Sequence, residues 1–175
     1  MKNSTDSDIP AFHASPEEAE KFNIDPHLVS LFLHEPFFSH LIRRMAKERT
    51  EAISTAGVTA KDDELRLLWN PRFLAALESI KIRGLLKHEC YHLIFNHCTS
   101  RRQDPPLIWN WATDLAINSL ISESELPEMG LIPGKSLDLS HIKDPEALKK
   151  WEKLSKFIES LPKSMSSEWY MEKLS

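Results

Sequence analysis

The stretch Ile80-Lys81-Ile82-Arg83-Gly84-Leu85-Leu86-Lys87-His88-Glu89-Cys90-Tyr91-His92-Leu93-Ile94-Phe95-Asn96-His97-Cys98 decides how the rest of the chain is read. Residues four apart on an α-helix lie one turn above each other. His88 and His92 therefore point the same way, close enough to share one ion. Glu89 stands one residue round from the first histidine, where it can reach a water on that ion. Two imidazoles holding zinc with a carboxylate as general base is the chemistry of the H-E-x-x-H arrangement. Ile82, Leu86, Cys90 and Leu93 recur at helical steps and form a face for a core. Leu85, His88, His92 and Asn96 form the neighbouring stripe, which leaves the histidines facing a cleft. The alternative is a pair of surface histidines on an ordinary helix, and the apolar setting argues against it.

Two ligands do not make a site, so a third is sought outward from this helix. After a polar turn, Thr99 to Pro106, the segment Leu107 to Ile121 reads as a helix with Ile108, Trp111, Ala112, Leu115, Ile117 and Leu120 mostly apolar. Asp114 is the charge inside it. A carboxylate there is costly unless it is paired or binds a metal. Asp114 is the expected third ligand, with Asn118 one turn on to orient it. A buried salt bridge or a hydrogen bond to backbone is the other reading of Asp114.

His97 stands nine residues after His88 and lacks the glycine turn that precedes a metzincin's third histidine. On a continuous helix it lies on the Leu86–Cys90–Leu93 side. It is expected to be a buried structural histidine or one that supports a ligand. Cys90 and Cys98, eight residues apart on that same helix, would be about 12 Å apart by helical rise. That is too far for a disulfide, so both are expected reduced, which points to the cytosol.

The remaining segments are read in chain order. Residues 1–14 are expected to be disordered, and 15–175 to form one domain. Ser15-Pro16-Glu17-Glu18 reads as a capping box that opens a helix. Asp25-Pro26 starts another through Leu33, and Glu35-Pro36 interrupts it. A third helix is expected from Pro36 to about Glu48. Ile53–Ala60 and Glu64–Asn70 are expected to pair as a β-hairpin about a turn at Lys61-Asp62-Asp63. Asn70-Pro71 caps a short helix to Glu78. Ser122 to Ser140 is a loop that could wall a cleft. Asp144-Pro145 opens a helix that Pro162 ends, and Ser166 or Ser167 caps the last. The fold class is thus α+β, mainly helical, with a small sheet beside the H-E-x-x-H helix.

Composition excludes several function classes. Of 175 residues, 41% are hydrophobic and 27% charged, as in globular domains. The net charge of −4 is spread along the chain, so no basic stripe suggests a nucleic-acid partner. No apolar run reaches membrane length, and Met1 to Pro10 lacks the apolar core of a secretion signal.

The runs PFFSHLIRRM, TAGV, LWNP, LLKHECYHLIFNH, WNWATDLAIN, LPEMGLIPG and SSEWYMEKL together resemble a bacterial metallopeptidase-domain family usually found ahead of a von Willebrand A-like domain. The resemblance covers about residue 28 to 175 and implies a zincin-like fold with a gluzincin-like layout. In that layout the third ligand comes from a second helix. His92 to Asp114 spans 22 residues and fits, with aspartate in place of glutamate. The von Willebrand A-like part would follow residue 175, where the chain ends. The resemblance also implies a partner ATPase docked through that second part. Tyr170, within the matched SSEWYMEKL run, is the candidate oxyanion donor; its alternative is an aromatic that anchors the last helix.

The function expected is hydrolysis of a peptide or protein substrate by a zinc-activated water, with Glu89 as general base and His88, His92 and Asp114 on Zn2+. Main chain from Glu64 to Asn70 could hold an extended peptide by strand addition. The rival is a metal-stabilised interaction module that keeps the site and cleaves nothing.

Overall fold

Proline placement explains where most helices begin. Among the described residues, six helices carry proline at their first or second position, where the missing N–H costs nothing and the fixed φ suits the helix. The computed structural model describes residues 13–61 and 64–175. They divide into two compact units, the first ending at Arg102 and the second running from Gln103 to Ser175.

The first unit contains α1 (Pro16–Lys21), α2 (Asp25–His34), α3 (Pro36–Ile42), β1 (Ala46–Arg49), β2 (Ala56–Lys61), β3 (Glu64–Trp69), α4 (Pro71–Ala75) and α5 (Ser79–Ile94). The capping box at α1 is complete: the Glu18 amide donates to Ser15 Oγ at 3.2 Å and Glu18 Oε2 accepts from the Ser15 amide at 2.8 Å. Asn70 caps α4 by accepting from the Arg72 amide. The expected disorder over 1–14 does not extend to its last two residues. His13 Nε2 lies 2.9 Å from the Ser54 carbonyl, and Ala14 is buried, bonded through its amide to Arg72 O. Residues 1–12 lie outside the described residues, as do Asp62 and Asp63 of the expected turn.

The expected pairing of the two strands forms, β2 antiparallel to β3, and a third strand that was not expected joins them. The order of the sheet is β1-β3-β2, with β1 parallel to β3. The helix expected to reach Glu48 ends at Ile42, and Ala46–Arg49 becomes a strand instead. A switch of chemistry marks this: after Met45, which is buried, the side chains of 47–49 are charged and exposed on an edge. β3 is therefore the central strand, with partners on both sides. Its main chain is not open to strand addition, and that expectation for Glu64–Asn70 is set aside.

α5 packs against α2, α3 and β2. Ile82, Leu86 and Cys90 are at most 1% exposed, so the apolar face read from the sequence does line the core. Cys90 Sγ donates to Phe38 O, and Lys87 pairs with Glu35 at 2.9 Å where α2 meets α3. The polar side of α5 is thereby held in one rotation about its axis.

The second unit contains α6 (Pro106–Asn118), a 3-10 turn at Glu123–Glu125, α7 (Pro145–Ser160) and α8 (Ser167–Leu174). α6 packs against α8, with Leu115, Ile117 and Tyr170 fully buried. Asp144 and Ser166 cap α7 and α8 as their sequence positions suggest. The chain is thus mainly helical with a small three-stranded sheet. Among the described residues, no helix is long and apolar enough to cross a membrane.

Candidate metal centre

The two histidines of α5 meet as helical spacing requires. His88 Nε2 and His92 Nε2 are 3.0 Å apart, and the rings stand at 72° with centroids 4.8 Å apart. Two nitrogens on one tetrahedral ion at bonds of 2.0–2.1 Å would be roughly 3.3 Å apart. The pair is close to ligand geometry, with both side chains half-buried rather than solvated.

Glu89 is 5% exposed. A carboxylate withdrawn this far from water is costly unless positive charge or donors compensate it. Its charge is felt by both cysteines. Burial first, and the Glu89 carboxylate second, push the Cys90 thiol up to about 12. The same two causes push the Cys98 thiol up to about 11, against a smaller opposing effect of Arg102. Both sulfurs are free thiols held in hydrogen bonds to carbonyls, Cys98 Sγ donating to Val58 O. A thiol so protonated is a poor ligand for a metal.

The helix expected to run on to Cys98 stops at Ile94. Asn96 adopts a positive φ of 56°, its amide donates to Leu93 O, and the His97 amide donates to His92 O. These two bonds form a Schellman motif with asparagine at the left-handed position. The turn folds His97 back over the end of the helix. His97 is 3% exposed, and its Nδ1 lies 3.3 Å from His92 Nδ1. His97 thus touches the far nitrogen of His92, away from the His88 side, rather than the aliphatic face expected of a continuous helix. Asn96 was the sequence signal for this, since asparagine is among the few residues that tolerate that backbone.

Asp114 sits in the middle of α6, half-buried between the fully buried Thr113 and Leu115. Of the three residues expected as ligands, His88 and His92 on α5 bring their Nε2 atoms to 3.0 Å from each other, and Asp114 lies on α6. Two imidazoles and one carboxylate suit zinc among the common ions.

Tyr170 and Asn118 each make hydrogen bonds within the second unit. Tyr170 is fully buried, and its hydroxyl donates to Pro162 O at 2.7 Å. Ser119 Oγ lies 3.4 Å from the same hydroxyl. The hydroxyl thereby ties the ring to the turn that precedes α8. Asn118 donates from Nδ2 to Leu131 O at 2.8 Å, which fastens the loop after α6.

Comparison with known proteins adds one finding. A family model described as a putative metallopeptidase domain matches residues 23–170. No curated protein and no solved structure matches the chain.

Proposed function

The chain belongs to the putative metallopeptidase domain family, and from that membership we propose that it is a zinc-dependent peptide hydrolase of zincin-like layout. The observation that carries the proposal is the pair His88 and His92, whose Nε2 atoms lie 3.0 Å apart on α5, with Asp114 as the proposed third ligand. A buried glutamate next to the first histidine supports it. So does the placement of the histidine helix against strand β2 of a small sheet.

When bound, the ion would supply Lewis acidity, polarising a peptide carbonyl and making a water nucleophilic near neutral pH. The chain's own residues divide the remaining work. His88 and His92 present their Nε2 atoms towards each other and would hold the ion between them. Asp114 would neutralise part of its charge. Glu89 follows His88 on the helix and is turned about 100° from it, which suits contact with water rather than with metal. As general base it takes the proton of the attacking water and passes it to the leaving amine. Its burial keeps that proton from exchanging freely with bulk solvent.

The test is cleavage of a degenerate peptide library, followed by mass spectrometry, with zinc content measured on the same samples. Wild-type chain should cleave, and Glu89→Gln should lose activity by about 10²- to 10⁴-fold while retaining its zinc. Glu89→Gln that cleaves like wild type would remove the carboxylate from the mechanism. A zinc-loaded wild type that cleaves no peptide or protein offered would favour the silent interaction module.

A further inference from the structure

We propose that His97 is a positioning residue for the metal site: it accepts a hydrogen bond from His92 Nδ1–H and so presents His92 Nε2 to the ion as a lone pair. The inference rests on the metal reading given above. Its starting point is a chain of contacts through one ring. His92 faces His88 through Nε2 at 3.0 Å and His97 through Nδ1 at 3.3 Å.

A neutral imidazole carries a hydrogen on one nitrogen and a lone pair on the other. If His97 Nδ1 donated to His92 Nδ1, the hydrogen of His92 would sit on Nε2, and that nitrogen could not bind a metal. Ligation through Nε2 therefore leaves one assignment. His92 Nδ1 donates, His97 Nδ1 accepts, and His97 keeps its own hydrogen on Nε2. A partner on the non-ligating nitrogen commonly sets both tautomer and ring orientation of a metal-binding histidine, and a carboxylate or carbonyl often takes that place. Here an uncharged ring takes it.

The backbone makes this placement rigid. The left-handed Asn96 and the His97 amide bond to His92 O put both rings on the same turn of chain. His97 is almost wholly buried, and Phe95 lies against it at 5.5 Å between ring centroids. The His97 ring thus has little room to turn its other nitrogen to His92.

Two substitutions separate positioning from packing. His97→Leu keeps an apolar side chain of useful size and removes the acceptor, whereas His97→Asn retains a carbonyl oxygen near the place of Nδ1. Zinc affinity is measured by competition with a chromophoric chelator. The tautomer of His92 is read from imidazole 15N shifts of the metal-free proteins at about pH 8, where neutral rings predominate. We expect about a ten- to hundredfold loss of zinc affinity in His97→Leu, with most of it restored in His97→Asn. We also expect His92 to carry its hydrogen on Nδ1 in wild type and to shift towards Nε2 in His97→Leu. Wild-type affinity in His97→Leu together with an unchanged His92 tautomer overturns the proposal, as does equal weakening in both variants without a tautomer change. If wild type takes up no zinc at all, the metal reading fails instead, and the tautomer comparison alone decides the role of His97.

Discussion

At the scale of single residues, side-chain hydrogen bonds separate roles that composition leaves merged. Tyr170 is an instance: its hydroxyl is fastened to Pro162 O inside the second unit. Tyr170→Phe should leave zinc binding and cleavage unchanged. It should cost about 1–2 kcal/mol of stability, because the Pro162 carbonyl loses a donor in a partly buried contact. A loss of turnover with unchanged stability would return the residue to the catalytic apparatus. The cysteines give a pH dependence with a definite sign. Their thiols are pushed up to about 12 and about 11 in the fold, whereas in an unfolded chain a thiol ionises near 8.5. The fold favours the protonated form, so this contribution is intact below about pH 8.5 and is lost as pH rises towards the folded values. The urea midpoint should fall between about pH 9 and pH 10.5, more steeply in wild type than in Cys98→Ala. Parallel pH profiles for the two proteins would contradict the assignment.

At the scale of elements, the turn after α5 matters most, because it brings His97 against His92. Asn96→Gly should be tolerated, since glycine adopts a positive φ freely. Asn96→Val should cost about 1–2 kcal/mol and weaken zinc binding as well. Chemical denaturation and the chelator competition check both, and a destabilised Asn96→Val with wild-type zinc affinity would uncouple the turn from the site. Helix starts were legible because proline, serine and asparagine act locally, as Ser15, Asn70, Asp144 and Ser166 all show. The apolar face of α5 was legible for a similar reason, since a period of 3.6 is a local pattern. The strand Ala46–Arg49 was not: its four residues carry no alternation, and its conformation comes from pairing with β3, distant in sequence. The end of α5 was missed because the apolar spacing runs on past Ile94, while the decision to stop rests on the conformational tolerance of one residue, Asn96. His88, His92 and Asp114 were legible as candidate ligands because each is a chemically costly residue in an apolar setting. The back contact of His97 was not, because it depends on that turn.

At the scale of the whole molecule, metal held by ligands that are far apart in an unfolded chain would contribute to folding free energy. Free zinc at a hundredfold excess over Kd would add about 2.7 kcal/mol, or roughly 5–10 °C in Tm for a domain of this size. Chelation should lower Tm by about that much without unfolding the protein, because buried residues such as Leu31, Leu67, Leu115 and Ile158 form cores that need no ion. Calorimetric scans with and without chelator measure it, and a Tm indifferent to chelator on protein shown to contain zinc would mean the site adds nothing to the fold. The most direct test of the account is the zinc content of the protein purified without added metal, compared with that of His88→Ala, Asp114→Ala and Glu89→Ala. The account predicts one zinc per chain in wild type, none retained by His88→Ala, much weaker retention by Asp114→Ala, and full retention by Glu89→Ala. Wild-type zinc content in His88→Ala, or equal loss in Glu89→Ala and Asp114→Ala, would contradict it.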